Sequence, residues 1–574
     1  MSTEFPTPED FAGEQFFRIP GFGDLSGVPD ESLIQELANQ FFKAPPVPQP
    51  TQSNIGAVPS SIAGSGISPS AVNQGNAVDL KDPQTSLPDP HFAGTGHVPS
   101  SVAGSGASPS AASYKGPQHN NAVPPSASGP FYFINDKNPF HQQRESHPSD
   151  PWRPSDLGAR PASALPAPPF DVNQVRRDFP ILHQHVGGRP LVWLDNAATT
   201  QKPRSVIERI AHYYRHDNSN IHRAAHELAA RSTDAYEGAR EKVQHFLNAA
   251  SPNEIVFVRG ATEAINLVAK SWGQQFLQPN DEIIISHLEH HANIVPWQQL
   301  AATKNLKLKI IPVDDDGQLR LDEYSKLLTG KTKLVSFTQV SNALGTITPA
   351  KTIVEMAHAA GAKALVDGAQ AVSHMPVDVR ALDADWYAFS GHKVFGPTGI
   401  GVLYAKEDLL NATDPWQGGG NMIKDVTFEH TTYQQAPAKF EAGTGNIADA
   451  IGLGAAIDYV TAIGMPLIAQ YEHYLLQYAT RLLNDIPGLH IIGTAPDKAG
   501  VLSFVLDGYR TEQVGATLNS GGIAVRSGHH CAQPILRRFG QESTVRPSLA
   551  LYNTCADIDA LISVLHRLAS NRPR

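Results

Sequence analysis

The residues with the clearest chemical potential fall in five short stretches. "AKALVDGAQA" closes a β-branched run with Asp367 and Gln370, and "WYAFSGHK" closes another with Ser390, His392 and Lys393. "IIISHLEHH" reaches His290, and "VFVRGATEAIN" passes from a strand pattern into a helix start at Thr262. "AVRSGHHCAQP" holds Cys531, one of 2 cysteines in 574 residues. A lysine at a strand end can form a Schiff base. A carboxylate on a neighbouring strand end can keep a ring nitrogen protonated. Together they meet the needs of pyridoxal 5'-phosphate, a covalent anchor and a charged ring that accepts electrons. The helix start at Thr262 offers N–H donors and a dipole to a phosphate. Ser390 and His392 add donors, His290 can stack on the ring, and Gln370 can bond the ring hydroxyl.

A metal reading competes on residue type alone, for His290 with His291 and for His529, His530 and Cys531. Adjacent residues seldom converge on one ion, and no carboxylate or histidine follows the first pair at ligand spacing. Cys555, in "LYNTCADIDAL", sits at a helix start without functional neighbours and reads as a small structural residue.

These residues need a scaffold that gathers strand ends. From Asp171 onward, β-branched runs alternate with helical patterns: "EIVFVRG" then "TEAINLVAKSWG", "TKLVSFTQVS" then "AKTIVEMAHAAG". That alternation predicts a mostly parallel sheet with helices on both faces and a ligand site at the carboxyl ends of the strands. Residues 171–430 form this large α/β part. Residues 431–574, with long helical patterns and a few strands such as "GVLSFVLDG", predict a smaller α+β domain.

Residues 1–170 differ. They are dense in Pro, Gly, Ser and Ala, which predicts a disordered leader. The leader carries 8 basic and 15 acidic residues of a chain whose net charge is −10. "VPSSIAGSGISPSA" (Val58–Ala71) returns as "VPSSVAGSGASPSA" (Val98–Ala111), either a duplicated linker or a repeated motif for a multivalent partner. "DESLIQELANQFFK" (Asp30–Lys43) and "GPFYFIND" (Gly129–Asp136) read as anchors that order on docking. The acidic balance argues against nucleic acid. Two cysteines fit a reducing cytosol. No signal peptide and no membrane-spanning run is evident, so the expected location is cytoplasmic.

The motifs "LDNAATTQKP", "NIHRAAHELAARS", "LEHHANIVPW", "VSNALGT", "LVDGAQAVSH", "FSGHKVFGPTGIGVLY", "FEAGTGN" and "RSGHHCA" resemble the cysteine desulfurases of the class V aminotransferase family, most of all the group II, SUF-type branch. The resemblance runs from about Asp171 to the C-terminus. It implies the pyridoxal-phosphate fold type I, aspartate aminotransferase-like, and a reaction that takes L-cysteine to L-alanine with the sulfur left on Cys531 as a persulfide. Lys393 then carries the cofactor and takes the α-proton, Asp367 faces the ring nitrogen and His290 stacks. Gln370, Thr262, Ser390 and His392 match cofactor contacts. Thr444 matches a phosphate contact donated by the other subunit of a homodimer. Asn342, Arg526 and Arg546 match the substrate region, where Arg546 can clamp a carboxylate and Arg526 can favour a thiolate. Gly528 gives the cysteine loop freedom to approach, and the short loop implies slow turnover until an acceptor protein removes the sulfur. Ala261 stands where the family often has threonine and Gly445 where it often has proline, which changes the phosphate network. Selenocysteine lyase is the alternative activity. The leader resembles the cargo-loading extensions of family 2 encapsulin cargo enzymes, which places the enzyme inside a protein shell. Its alternative role is docking a sulfur acceptor for iron–sulfur assembly.

Overall fold

The computed structural model describes residues 169–222 and 226–572, so the repeat and the two anchor segments lie outside the described residues. A short strand, β1 (Val192–Trp193), and a long helix, α1 (Glu227–Phe246), precede the main sheet. That sheet is built from β2 (Ile255–Val258), β3 (Glu282–Ser286), β4 (Lys307–Ile311), β5 (Thr332–Thr338), β6 (Lys363–Asp367), β7 (Trp386–Ser390) and β8 (Gly401–Ala405). Helix α2 (Ala261–Val268) lies between β2 and β3. The spatial order is β2-β8-β7-β6-β5-β3-β4, and β8 alone runs antiparallel to its neighbours.

Side chains on successive strand residues point to opposite faces, and this divides the interior in two. Val335, Val366, Tyr387, Phe389 and Val402 pack on one face; Leu334, Leu365, Trp386, Ala388 and Leu403 pack on the other. Both faces are covered, so the central strands β6, β7 and β8 are apolar along most of their length instead of alternating with polar residues. Burying each such large apolar side chain is worth roughly 1.5–3 kcal/mol. The result is a stiff platform for the strand ends. At Gly401 a Cβ atom would come within 2.5 Å of Gly260 Cα and 2.6 Å of Phe389 O. Only glycine lets the turn before α2 sit this close to the sheet.

Beyond β8, a hairpin pairs β9 (Ile423–Val426) with β10 (Thr431–Tyr433). It spans residues 430–431, where the sequence reading divides the large part from the small. Helices α3 (Ile447–Ile463) and α4 (Met465–Asn484) follow. Gly464 at φ +99° and Pro466 at the first turn of α4 separate them. Among the described residues no single helix is long and apolar enough to cross a membrane; α3 and α4 pass only as a pair bent by 75°. The apolar character of α3 is explained by its burial: it packs against α1, and most of its residues are core.

The C-terminal part carries an antiparallel sheet of β11 (Leu489–Ile491), β12 (Phe504–Leu506), β14 (Arg526–Gly528) and β15 (Thr544–Arg546), ordered β11-β12-β15-β14. Strand β13 (Ile523–Ala524) pairs in parallel with β1. That pairing brings the "LDNAATT" segment after β1 beside the base of the Cys531 loop. Helix α5 (Cys555–Ser570) closes the chain, and its Cys555 lies 3.4 Å from the Tyr474 hydroxyl.

Candidate active site

The carboxyl ends of β3, β5, β6 and β7 converge with the Cys531 loop on a cavity of about 200 Å³. Every residue matched to catalysis, cofactor or substrate lines it except Thr444. Thr444 is exposed and lines a separate cavity of about 520 Å³ with Gly399 and Asn446, where its hydroxyl accepts from Asn220 Nδ2 at 3.3 Å. One chain therefore does not bring Thr444 to the site.

Asp367 ends β6 and is 3% exposed. Its Oδ1 accepts from the Ala369 N–H at 3.0 Å, and burial pushes its carboxyl up while that bond and Lys393 pull it down. A buried carboxylate with so little compensation needs a cation, and a protonated ring nitrogen is one. Lys393 ends the short turn Gly391–Lys393 after β7. Burial lowers its amine to about 8, with Asp367 and Cys531 opposing and Arg546 and Arg526 assisting. Such an amine is still mostly protonated near neutral pH but has a far larger neutral fraction than an ordinary lysine, which a covalent anchor and base needs.

At the head of α2 the Ala261 N–H donates to Ser390 Oγ at 2.9 Å, so Ser390 accepts there and keeps its own proton to donate. Thr262 stands next at the same helix start. The Gln370 amide donates to the Ala197 carbonyl at 2.6 Å, a bond that ties it to the segment after β1. His290 Nδ1 accepts from the Ala292 N–H at 3.0 Å, which fixes the ring at the cavity wall.

Arg546 is buried, donates from Nη1 to the Asn342 carbonyl at 2.6 Å, and leaves Nε without a partner among the described residues. Asn342 Oδ1 is likewise unpartnered, while its Nδ2 donates to the His530 carbonyl at 2.6 Å. An unpaired buried donor costs about 1–3 kcal/mol. A carboxylate on the Nε edge of Arg546 removes that cost. The donor set and the cavity therefore fit a pyridoxal phosphate with an amino acid beside it.

The Cys531 loop is held more tightly than its glycine suggests. The Cys531 carbonyl accepts from the His291 N–H at 2.8 Å, and its N–H donates to His529 Nδ1 at 3.1 Å. His529 stacks on His291 with ring centroids 5.8 Å apart. His530 and Cys531 both sit at φ +53°, a left-handed conformation that costs non-glycine residues about 1–3 kcal/mol each. The surrounding bonds offset that cost and fix the thiol on the cavity. The two histidines thus separate: His529 braces the cysteine backbone, while His530 is buried with Nε2 on Thr544.

Three groups of residues here went unassigned in the sequence reading. Thr199, Thr200 and Lys202 of "AATTQK" all donate to the His392 carbonyl, at 3.0, 3.2 and 3.1 Å, and clamp the turn that carries Lys393. Asp195 bridges Arg526 and Arg546. Glu289 is buried behind His290 and accepts from the Thr338 N–H at 3.1 Å and from Asn293 Nδ2 at 2.6 Å. Burial raises its carboxyl to about 8. The quoted motifs contained all of them, but none has a chemistry that its own neighbours in sequence reveal.

Burial also depresses His290 and His530 to about 3 and His392 to about 4, from 6.5. The folded chain keeps these rings neutral, whereas the unfolded chain protonates them below 6.5. The unfolded state thus binds more protons, so their contribution to stability is full above 6.5 and is lost as pH falls toward 3. Urea denaturation of the cofactor-free protein at pH 7.5 and 5.5 is expected to show these rings lowering stability toward 5.5, opposed by the buried Glu289 carboxyl, which keeps its proton over most of that range. The slope is shallower in His530→Asn, and equal slopes would contradict the assignment.

A model of the class-V aminotransferase family matches residues 192–561. A cysteine desulfurase of Synechococcus elongatus is 69% identical over 415 residues, 72% of this chain and 66% of that relative. One from Dickeya dadantii is 51% identical over 404 residues, covering 70% of this chain and 98% of the relative. Among solved structures, the cysteine desulfurase CsdA of Escherichia coli superposes with a TM-score of 0.65 at 40% identity, covering 70% of this chain and all of its own.

Proposed function

This chain belongs to the class-V aminotransferase family and is a pyridoxal-phosphate-dependent enzyme, and on that premise we propose that it is a cysteine desulfurase of the group II type. The observation that carries the reading is the meeting of Lys393, Asp367, Arg546 and Cys531 on one cavity. Lys393 would hold the cofactor covalently, Asp367 would face its ring nitrogen, His290 would cover the ring, and Thr262, Ser390 and His392 would meet its phosphate. When bound, the cofactor supplies an electron-accepting ring conjugated to the substrate's α-carbon.

The chain's own groups do the rest. Arg546 takes the carboxylate of L-cysteine on its open Nε edge, with the planar fork that lysine lacks. Lys393 Nζ removes the Cα proton. Cys531, as a thiolate, attacks the substrate sulfur: the S–S bond forms as the substrate's C–S bond breaks, and the bonding pair stays with the carbon skeleton. A proton delivered to Cβ and one returned to Cα give L-alanine, and Cys531 is left as a persulfide for a sulfur acceptor. His290, on the cavity wall, is placed to assist proton movement. The clamped loop supports the reading that turnover stays slow until an acceptor engages it. Turnover of cysteine and of selenocysteine by wild type and Cys531→Ala separates the lyase alternative, and full cysteine turnover without Cys531 would defeat the persulfide mechanism.

The working unit is read as a homodimer, in which Thr444 reaches the partner's phosphate site. Its position outside its own cavity supports this, as does the β9–β10 hairpin, whose Phe428 is fully exposed. The leader is read as the segment that loads the dimer into an encapsulin shell in the cytoplasm. The duplicated "VPSS-AGSG-SPSA" motif supports multivalent docking. Deletion of residues 1–170 is expected to leave alanine production and dimer mass intact and to abolish co-purification with a shell protein in the native host. If the full-length chain captures a sulfur acceptor and no shell, the leader serves assembly instead.

A further inference from the structure

Across the antiparallel pair β14–β15, Arg526 stands directly opposite Arg546. Like charges so placed repel. Asp195, 9% exposed, supplies the counter-charge. Its Oδ2 accepts from Arg526 Nε and Nη2 at 3.2 and 3.1 Å, and its Oδ1 lies 3.5 Å from Arg546 Nη2. The two arginines are therefore in unequal states. Arg526, whose side chain is 48% exposed, has the Nε and Nη2 edge of its fork filled by Asp195. Arg546 is sealed in the interior with Nε open. Both line the same cavity. Two guanidiniums and one carboxylate leave one positive charge, enough for one substrate carboxylate.

We propose that Asp195 is a specificity-determining residue that occupies Arg526, so that the cavity takes amino acids with one carboxylate and discriminates against those whose side chain carries a second anion. The proposal deepens the desulfurase reading of this cavity and rests on it for the native substrate. A neutral thiol side chain asks nothing of Arg526. A side-chain carboxylate gains only by displacing Asp195, which exchanges one charged pair for another and leaves a buried carboxylate with only its longer contact to Arg546. Without the Asp195 charge, the Arg526 fork becomes free for such an anion.

The test uses the holoenzyme and the change in cofactor absorbance on binding L-aspartate or L-alanine. Relative to wild type, Asp195→Asn is expected to shift the preference toward aspartate about tenfold, or about 1.4 kcal/mol. Asp195→Asn combined with Arg526→Gln returns the ratio to the wild-type value. Arg526→Gln alone moves the ratio by much less than tenfold, because Asp195 already fills that fork, and this arm stands even if Asp195→Asn fails to fold. Equal weakening of both ligands in Asp195→Asn would mark a merely structural role and overturn the proposal. So would a tenfold weakening of aspartate relative to alanine in Arg526→Gln alone. Failure of the wild type to form alanine from L-cysteine sinks the desulfurase reading instead, and leaves the binding ratios to judge Asp195 separately.

Discussion

Lys393→Ala is expected to abolish turnover of L-cysteine, by about a thousandfold or more, and to remove the covalent hold on the cofactor. The size follows from two duties on one amine. Burial brings Lys393 down to about 8, so a neutral Nζ is available both to bond the cofactor and to take the Cα proton. Alanine supplies neither. The turn that carries the lysine is fixed independently, by three donors from the segment after β1 on the His392 carbonyl. The variant should therefore fold, and its urea midpoint should stay near that of wild type. Steady-state alanine formation and the visible spectrum after dialysis check the expectation. A variant that keeps a reduction-sensitive visible band and wild-type turnover would remove Lys393 from the mechanism.

Cys531→Ser is expected to stop sulfur transfer, again by about a thousandfold, while cofactor binding and the spectral response to L-alanine persist. The separation arises because Cys531 belongs to the loop after β14, whereas Lys393 and Asp367 belong to the main sheet. Serine is nearly isosteric, and the His291 and His529 contacts involve the Cys531 backbone, so the loop keeps its shape. Loss of cofactor binding in this variant would show that the cysteine supports the site and does not serve as its nucleophile. The second cysteine provides the control: Cys555, against Tyr474 at the start of α5, should tolerate alanine without kinetic effect.

The fold was legible where the sequence repeats a period. Each β-branched run assigned to the large part is a strand, and the main sheet is parallel apart from β8. The strand ends were legible too, because Asp367, Ser390 and Lys393 follow directly on apolar runs. What stayed hidden depends on contacts between distant segments. Thr199 and His392 are 193 residues apart, and Asp195 and Arg526 are 331 apart. No local pattern marks such partners. Glu289 was hidden for another reason: beside two histidines it reads as a solvated charge, yet the chain turns it inward onto Thr338 and Asn293. Gly528 suggested a free loop, and the left-handed pair at His530 and Cys531 with its backbone bonds shows a constrained one. Flexibility read from composition takes no account of hydrogen bonds made after folding.

The proposed reaction moves sulfur from cysteine to Cys531 in this cavity. It is tested most directly by mixing the holoenzyme with L-cysteine without an acceptor, quenching, and measuring the mass of the Cys531 peptide before any reductant is added. The expected result is a gain of one sulfur atom on Cys531, matched by one L-alanine per site and erased by reductant. L-alanine released repeatedly with Cys531 unchanged in mass would contradict the account.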